Sequence, residues 1–193
     1  SINMSDEESN YTAGKKVSIN ELMNQDNEDE SLRKYKESLL GSAASETFSP
    51  ADDPRRVVVE EFSIVLDGRD ELKAELADKE AIKNLKDKPF ALKEKCNYKK
   101  KIRFRVQHEI VSGLKCVTNV QKSKIPKGVK DSVMIGSFGP QKEAHEIILP
   151  KNTWEEAPSG KFLRGNYKCK TQFVDDDGEV HLEFEWAMVI SKD

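Results

Sequence analysis

The chain is poor in cysteine, and the three it has, Cys96, Cys116 and Cys169, are odd in number, widely spaced and without a CxxC pair. Neither a disulfide framework nor a zinc site is expected, and the thiols read as reduced. No apolar run approaches the length a bilayer requires, so no stable membrane insertion is expected. The N-terminus is acidic and lacks an apolar h-region, so no signal peptide is read and the expected location is cytoplasmic.

Motifs for catalysis are missing as well. There is no GxSxG, Walker or HExxH sequence. His108, His145 and His181 have no ligand spacing. Gly136-Ser137-Phe138-Gly139 lacks the Lys-Ser/Thr and helix of a phosphate loop. Asp175-Asp176-Asp177-Gly178 resembles a calcium loop only superficially, because the twelfth position is Trp186 instead of a glutamate. A tight acidic turn between strands is expected there. The basic cluster Lys99, Lys100, Lys101, Arg103 and Arg105 has no interleaved exposed aromatics, and the alternation puts Arg103 and Arg105 on a solvated sheet face. No enzyme activity, metal, cofactor or nucleic-acid partner is expected.

What is present is an uneven charge. Residues 1–53 carry twelve acids against five bases, and the remainder twenty-three against twenty-seven. An acidic leader thus precedes a mildly basic body. Hydrophobic residues are 36% of the chain and charged ones 35%, which suits one domain with a polar extension better than two cores.

The leader holds one sharply defined feature. Leu32, Tyr35, Leu39 and Leu40 fall on one helical face, Asp29 or Ser31 can cap its start, and Gly41 ends it. Ser18-Ile19-Asn20-Glu21 is a capping box for a shorter helix. The expectation is a flexible arm over residues 1–55 with helices at about 18–24 and 29–41, each too short to be stable alone. An apolar face with no core of its own needs a partner, in this chain or another.

From Arg56 the periodicity changes to two. Lys101 to Val106 alternates basic and apolar residues. Leu182, Phe184, Trp186, Met188 and Ile190 share one face, with Glu183 and Glu185 on the other. Turn signals recur at Asp67-Gly68, Lys127-Gly128, Gly139-Pro140, Ser159-Gly160 and Asp177-Gly178. Residues 56–193 therefore read as an antiparallel β-sandwich. The stretch 78–86 fits a strand or a helical turn equally well.

Five segments carry a resemblance. They are Asp29–Gly41, Phe104–Lys115 (FRVQHEIVSGLK), Gly136–Pro140 (GSFGP), Trp154–Gly160 (WEEAPSG), and Phe173–Gly178 (FVDDDG) followed by Glu185-Trp186. Together and in this order, they resemble the Rho GDP-dissociation inhibitor family. The resemblance implies an immunoglobulin-like β-sandwich that opens at one end to hold a geranylgeranyl group. It implies a prenyl pocket at Ile64, Phe90, Leu92, Tyr98, Ile110, Cys169 and Trp186. It implies contacts with the GTPase through Asp29, Ser31, Leu32, Tyr35, Leu39, Leu40 and Asp177. Glu155 and Glu156 are candidates to receive the basic tail of the cargo. The implied partners are prenylated Rho-family GTPases, preferentially GDP-bound, extracted from membranes and kept from releasing GDP by the arm. The alternative is a prenyl- or acyl-binding carrier of similar fold that does not touch the GTPase switches, which would have no use for the capped arm helix. Periodicity alone does not tell an open sandwich from a closed one.

Overall fold

Strict alternation of inward apolar and outward charged side chains builds nearly all of this molecule. The computed structural model describes residues 48–193 and, upstream, Lys34, which is helical and exposed. The two expected arm helices, with Asp29, Ser31, Leu32, Tyr35, Leu39 and Leu40, otherwise lie outside the described residues.

The strands run in the order β1 Val57–Leu66, β2 Leu72–Glu75, β3 Phe90–Lys93, β4 Asn97–Val106, β5 Val111–Lys122, β6 Val129–Phe138, β7 His145–Leu149, β8 Glu155–Glu156, β9 Gly165–Val174 and β10 Val180–Ser191. They form two sheets. One has the order β2-β1-β4-β7, with β8 also paired to β4; the other has the order β3-β10-β9-β5-β6. Pairing is antiparallel throughout, apart from the parallel β3–β10 edge. This is the expected mainly β sandwich.

The undecided stretch is helical. Helix α1 (Lys79–Asn84) begins at Asp78, whose side chain accepts a hydrogen bond from the Ala81 amide at 2.8 Å. A 3₁₀ turn, Leu85–Asp87, follows and buries Leu85. Strand β1 is continuous through a bulge between Val59 and Glu61. That bulge leaves Phe62 and Ile64 facing inward, both 0% exposed.

The outer face of β1 and β4 is an ion-pair lattice. Glu61 lies 3.1 Å from Lys73 and 3.6 Å from Arg103, and Lys101 reaches Glu71 at 2.7 Å. Burial would raise the Glu61 carboxyl. Hydrogen bonds from Lys73 and Ser63, with the Lys101 charge, hold it below the ordinary range instead.

Strand register gives the sandwich two distinct ends. At one, Val57 opposes Val106, Val111 opposes Phe138, and the β9–β10 turn closes over them. At the other, Leu66 opposes Tyr98, and Asn97 and Tyr98 oppose Glu156 and Glu155. The first is called the clasp end and the second the rim end below.

Candidate functional site

Between the sheets, Phe62 is the hub. Its ring lies 5.0 Å from Trp186, 5.2 Å from Phe184 and 5.6 Å from Phe90, tilted or edge-on. The Trp186 indole N–H donates to Thr171 Oγ1 at 3.0 Å, and Thr171 meets Thr118 Oγ1 at 3.2 Å. The tryptophan is thus fixed by a buried polar pair on the neighbouring strands β9 and β5.

Six of the seven expected pocket residues belong to this one core. Ile64, Phe90, Leu92, Tyr98, Cys169 and Trp186 are all 7% exposed or less. Ile110 stands apart. It follows β4 at the clasp end, where its carbonyl accepts from Arg56 Nη2 at 2.8 Å, and it is not part of the core cluster. Tyr98 lies at the far end of β4, about 30 Å of strand away.

The interior is uncovered on one side of the rim end. The β5–β6 hairpin runs past the opposing sheet. Val120, Val129 and Asp131 share the inward face with Cys169 and Thr118, yet Val129 is 71% exposed and Asp131 is exposed too. Around the same end Phe162 is 85% exposed, Leu163 is half-exposed, and Trp154 lies under the Lys99 ammonium. The expected acids are here as well. Strand β8 sets Glu155, half-buried, and Glu156, exposed, beside Tyr98 and Asn97. Burial, and then the Glu155 carboxylate beside it, push the Tyr98 phenol well above its ordinary range.

Asp177 lies at the other end, exposed in the β9–β10 turn. Buried Asp175 organises that turn. One carboxylate oxygen accepts from the Asp177 and Glu179 amides, each at 2.9 Å, and the other meets His181 Nε2 at 2.6 Å. Asp175, Glu179 and His181 bring their ligand atoms within 4.8 Å of one another. Both Asp175 oxygens are engaged by these hydrogen bonds. Burial, reinforced by Asp177 and Asp175, raises the neighbouring Asp176 carboxyl.

The residues entering the sandwich are also held at the clasp end. The His108 amide donates to the Phe48 carbonyl at 2.9 Å, and its ring nitrogens meet Ser49 Oγ and the Asp53 carbonyl. Gln107 Nε2 donates to the Arg55 carbonyl at 2.9 Å. His108 reaches these groups from a positive φ of 68°. The last residues of the expected arm, from Phe48 to Arg55, are therefore hydrogen-bonded to the β4–β5 corner.

One inward-facing polar residue escaped the sequence reading. Lys100 was grouped with an exposed basic cluster, but it is 6% exposed and shares the parity of Tyr98, Ile102 and Phe104. That parity was the signal available in the sequence.

The molecule is thus a β-sandwich with a packed aromatic interior and carboxylates at one end. Comparison with known proteins gives its family. The family model described as RHO protein GDP dissociation inhibitor matches residues 1–193. The chain is similar to the putative rho GDP-dissociation inhibitor 1 of Dictyostelium discoideum, at 48% identity over 97% of this chain and 95% of that one. It is 40% identical to the Rho GDP-dissociation inhibitor of Schizosaccharomyces pombe over 93% of this chain and 84% of that one. It is also 40% identical to human Rho GDP-dissociation inhibitor 1, over 99% and 90% of the two chains. The chain belongs to the Rho GDP-dissociation inhibitor family, whose members are regulatory inhibitors and not enzymes. No helix among the described residues is long and apolar enough to cross a membrane.

Proposed function

We propose that this chain binds prenylated Rho-family GTPases, preferentially with GDP, shields the geranylgeranyl group between its sheets, and so keeps the GTPase off the membrane. The observation that carries the reading is the rim end: uncovered apolar residues lead into an aromatic interior beside Glu155 and Glu156. The lipid enters past Val129 and Val120 and displaces packing around Cys169 and Trp186. The two glutamates receive the basic residues that precede the prenylated cysteine.

Magnitudes assign a role to the arm. A twenty-carbon prenyl chain gains roughly 16 kcal/mol in a bilayer at about 0.8 kcal/mol per buried carbon. An apolar protein interior returns a similar sum, so moving the lipid alone is nearly neutral. Extraction needs further contacts. The apolar face of Leu32, Tyr35, Leu39 and Leu40, headed by Asp29 and Ser31, supplies them by closing on the GTPase switch loops. Holding those loops also slows GDP release. Asp177 makes a separate contact with the GTPase body.

The test is extraction of a geranylgeranylated Rho protein from vesicles, run beside a GDP-release assay, with the full chain and with residues 1–47 deleted. Extraction and slowed release with the full chain, and loss of the slowed release on deletion, are expected. If the truncated protein slows release as well as the full chain, the role of the arm is refuted. If neither protein extracts the GTPase, the function is refuted.

A further inference from the structure

Among the described residues, Lys100 is the one lysine that points between the sheets, in an otherwise apolar wall. Ile64 and Leu149 oppose it across β1 and β7, and Tyr98 and Ile102 flank it along β4. All four are buried with it. Across the gap stand Cys116 and Cys169. Burial pushes their thiols up to about 11 and about 12, and the Lys100 ammonium pulls both partly back. Among the described residues no carboxylate lies within ion-pair distance of Lys100, and no side chain hydrogen-bonds it. Asp131, which acts on the same Cys116, is exposed on β6 and does not reach it.

The stem of Lys100 is buried, while its ammonium is not among the fully buried polar atoms and keeps contact with water. A lone positive charge in an apolar wall is thereby open to an anionic group that enters the cleft. Lys100 lies three residues in from the start of β4, about 10 Å below the rim. Its flexible stem can carry the charge back towards the mouth while the methylenes stay against Tyr98 and Ile102. A lipid that enters tail first leaves its head group at that level. Prenylated C-terminal cysteines carry there an α-carboxylate, or its neutral methyl ester.

We propose that Lys100 reads the head of the lipid, pairing its ammonium with the free α-carboxylate of a prenylated cysteine and favouring it over the methyl ester. This rests on the reading of the sandwich as a prenyl site. The aliphatic stem lines the upper cleft for either ligand; only the charge discriminates. A charge-assisted pair at a partly wet mouth gives roughly ten-fold discrimination.

The test uses the full chain and displacement of a fluorescent prenyl probe. The competitors are N-acetyl-S-geranylgeranyl-cysteine, its methyl ester, and palmitate. The wild type should bind the free acid about ten-fold more tightly than the ester. Lys100→Met keeps the apolar stem and should bind both equally, with ester affinity at least that of wild type. Lys100→Arg should restore the preference. Equal binding of acid and ester by wild type overturns the proposal and leaves the prenyl site standing, as does a preference that survives in Lys100→Met. Palmitate competing as well as the prenylated acid overturns the assignment to prenylcysteine. Failure of folded wild type to bind either prenyl ligand refutes the prenyl site itself, and the proposal with it.

Discussion

Replacing Asp175 by alanine tests how the β9–β10 turn is held. The carboxylate is 5% exposed and accepts three hydrogen bonds, from the Asp177 and Glu179 amides and from His181. Hydrogen bonds to a charged acceptor contribute about 1.5–3 kcal/mol each, but three on one side chain are not additive. The expected loss is about 3–4 kcal/mol, a large part of the 5–15 kcal/mol that typically separates folded from unfolded domains. Asp175→Asn keeps one acceptor oxygen and should lose about half as much. Urea unfolding followed by tryptophan fluorescence measures both, and the dependence on urea should stay unchanged. Because the turn presents Asp177, the alanine variant should also bind a Rho protein more weakly at temperatures where it remains folded. A loss below about 1 kcal/mol for Asp175→Ala would mean that backbone pairing alone holds the turn.

Three more outcomes are expected. Phe62→Ala removes the hub of three aromatic contacts at full burial and should cost about 3–5 kcal/mol in the same unfolding assay. His145 packs against Phe104 and Phe138, and burial lowers its pKa despite the Gly139 carbonyl. The unfolded chain therefore takes up that proton first, so stability should fall as the pH drops below about 6.5. His145→Gln should flatten that slope in melts between pH 5 and 8, and an unchanged slope would exclude the histidine. Reversing Glu155 and Glu156 to lysine together should slow association with a basic-tailed prenylated GTPase at low salt and matter little at high salt; stopped-flow mixing at two ionic strengths decides it.

The strands were legible wherever one face is buried and the other charged. β4 and β10 follow their alternation residue by residue, because a one-residue slip would turn every apolar side chain to water. The stretch 78–86 was not legible by periodicity, since its short helix has no buried residue of its own. The Asp78 cap was the better clue. Lys100 was misjudged because composition outweighed parity: three lysines in a row read as a solvated cluster, although the middle one shares the phase of Tyr98 and Ile102. The seven residues that the family resemblance names as a pocket do not all stand together. Six converge between the sheets while Ile110 lies beyond the far end of β4, a separation set by sheet register rather than by any local pattern.

The pinning of Phe48, Ser49 and Asp53 to the β4–β5 corner has a consequence for kinetics. It fixes the point on the sandwich from which the chain upstream of Phe48 starts. The rim lies about 33 Å from that origin, the length of a ten-residue strand, and about ten extended residues cover it. On the proposed function, a cargo seated at the rim lies within reach of that upstream chain, and a second engagement by it is an intramolecular step at an effective concentration set by chain length. His108→Ala removes the ring contacts to Ser49 and Asp53 but leaves the amide bond to Phe48, so it should loosen this origin without touching the cargo's own contacts.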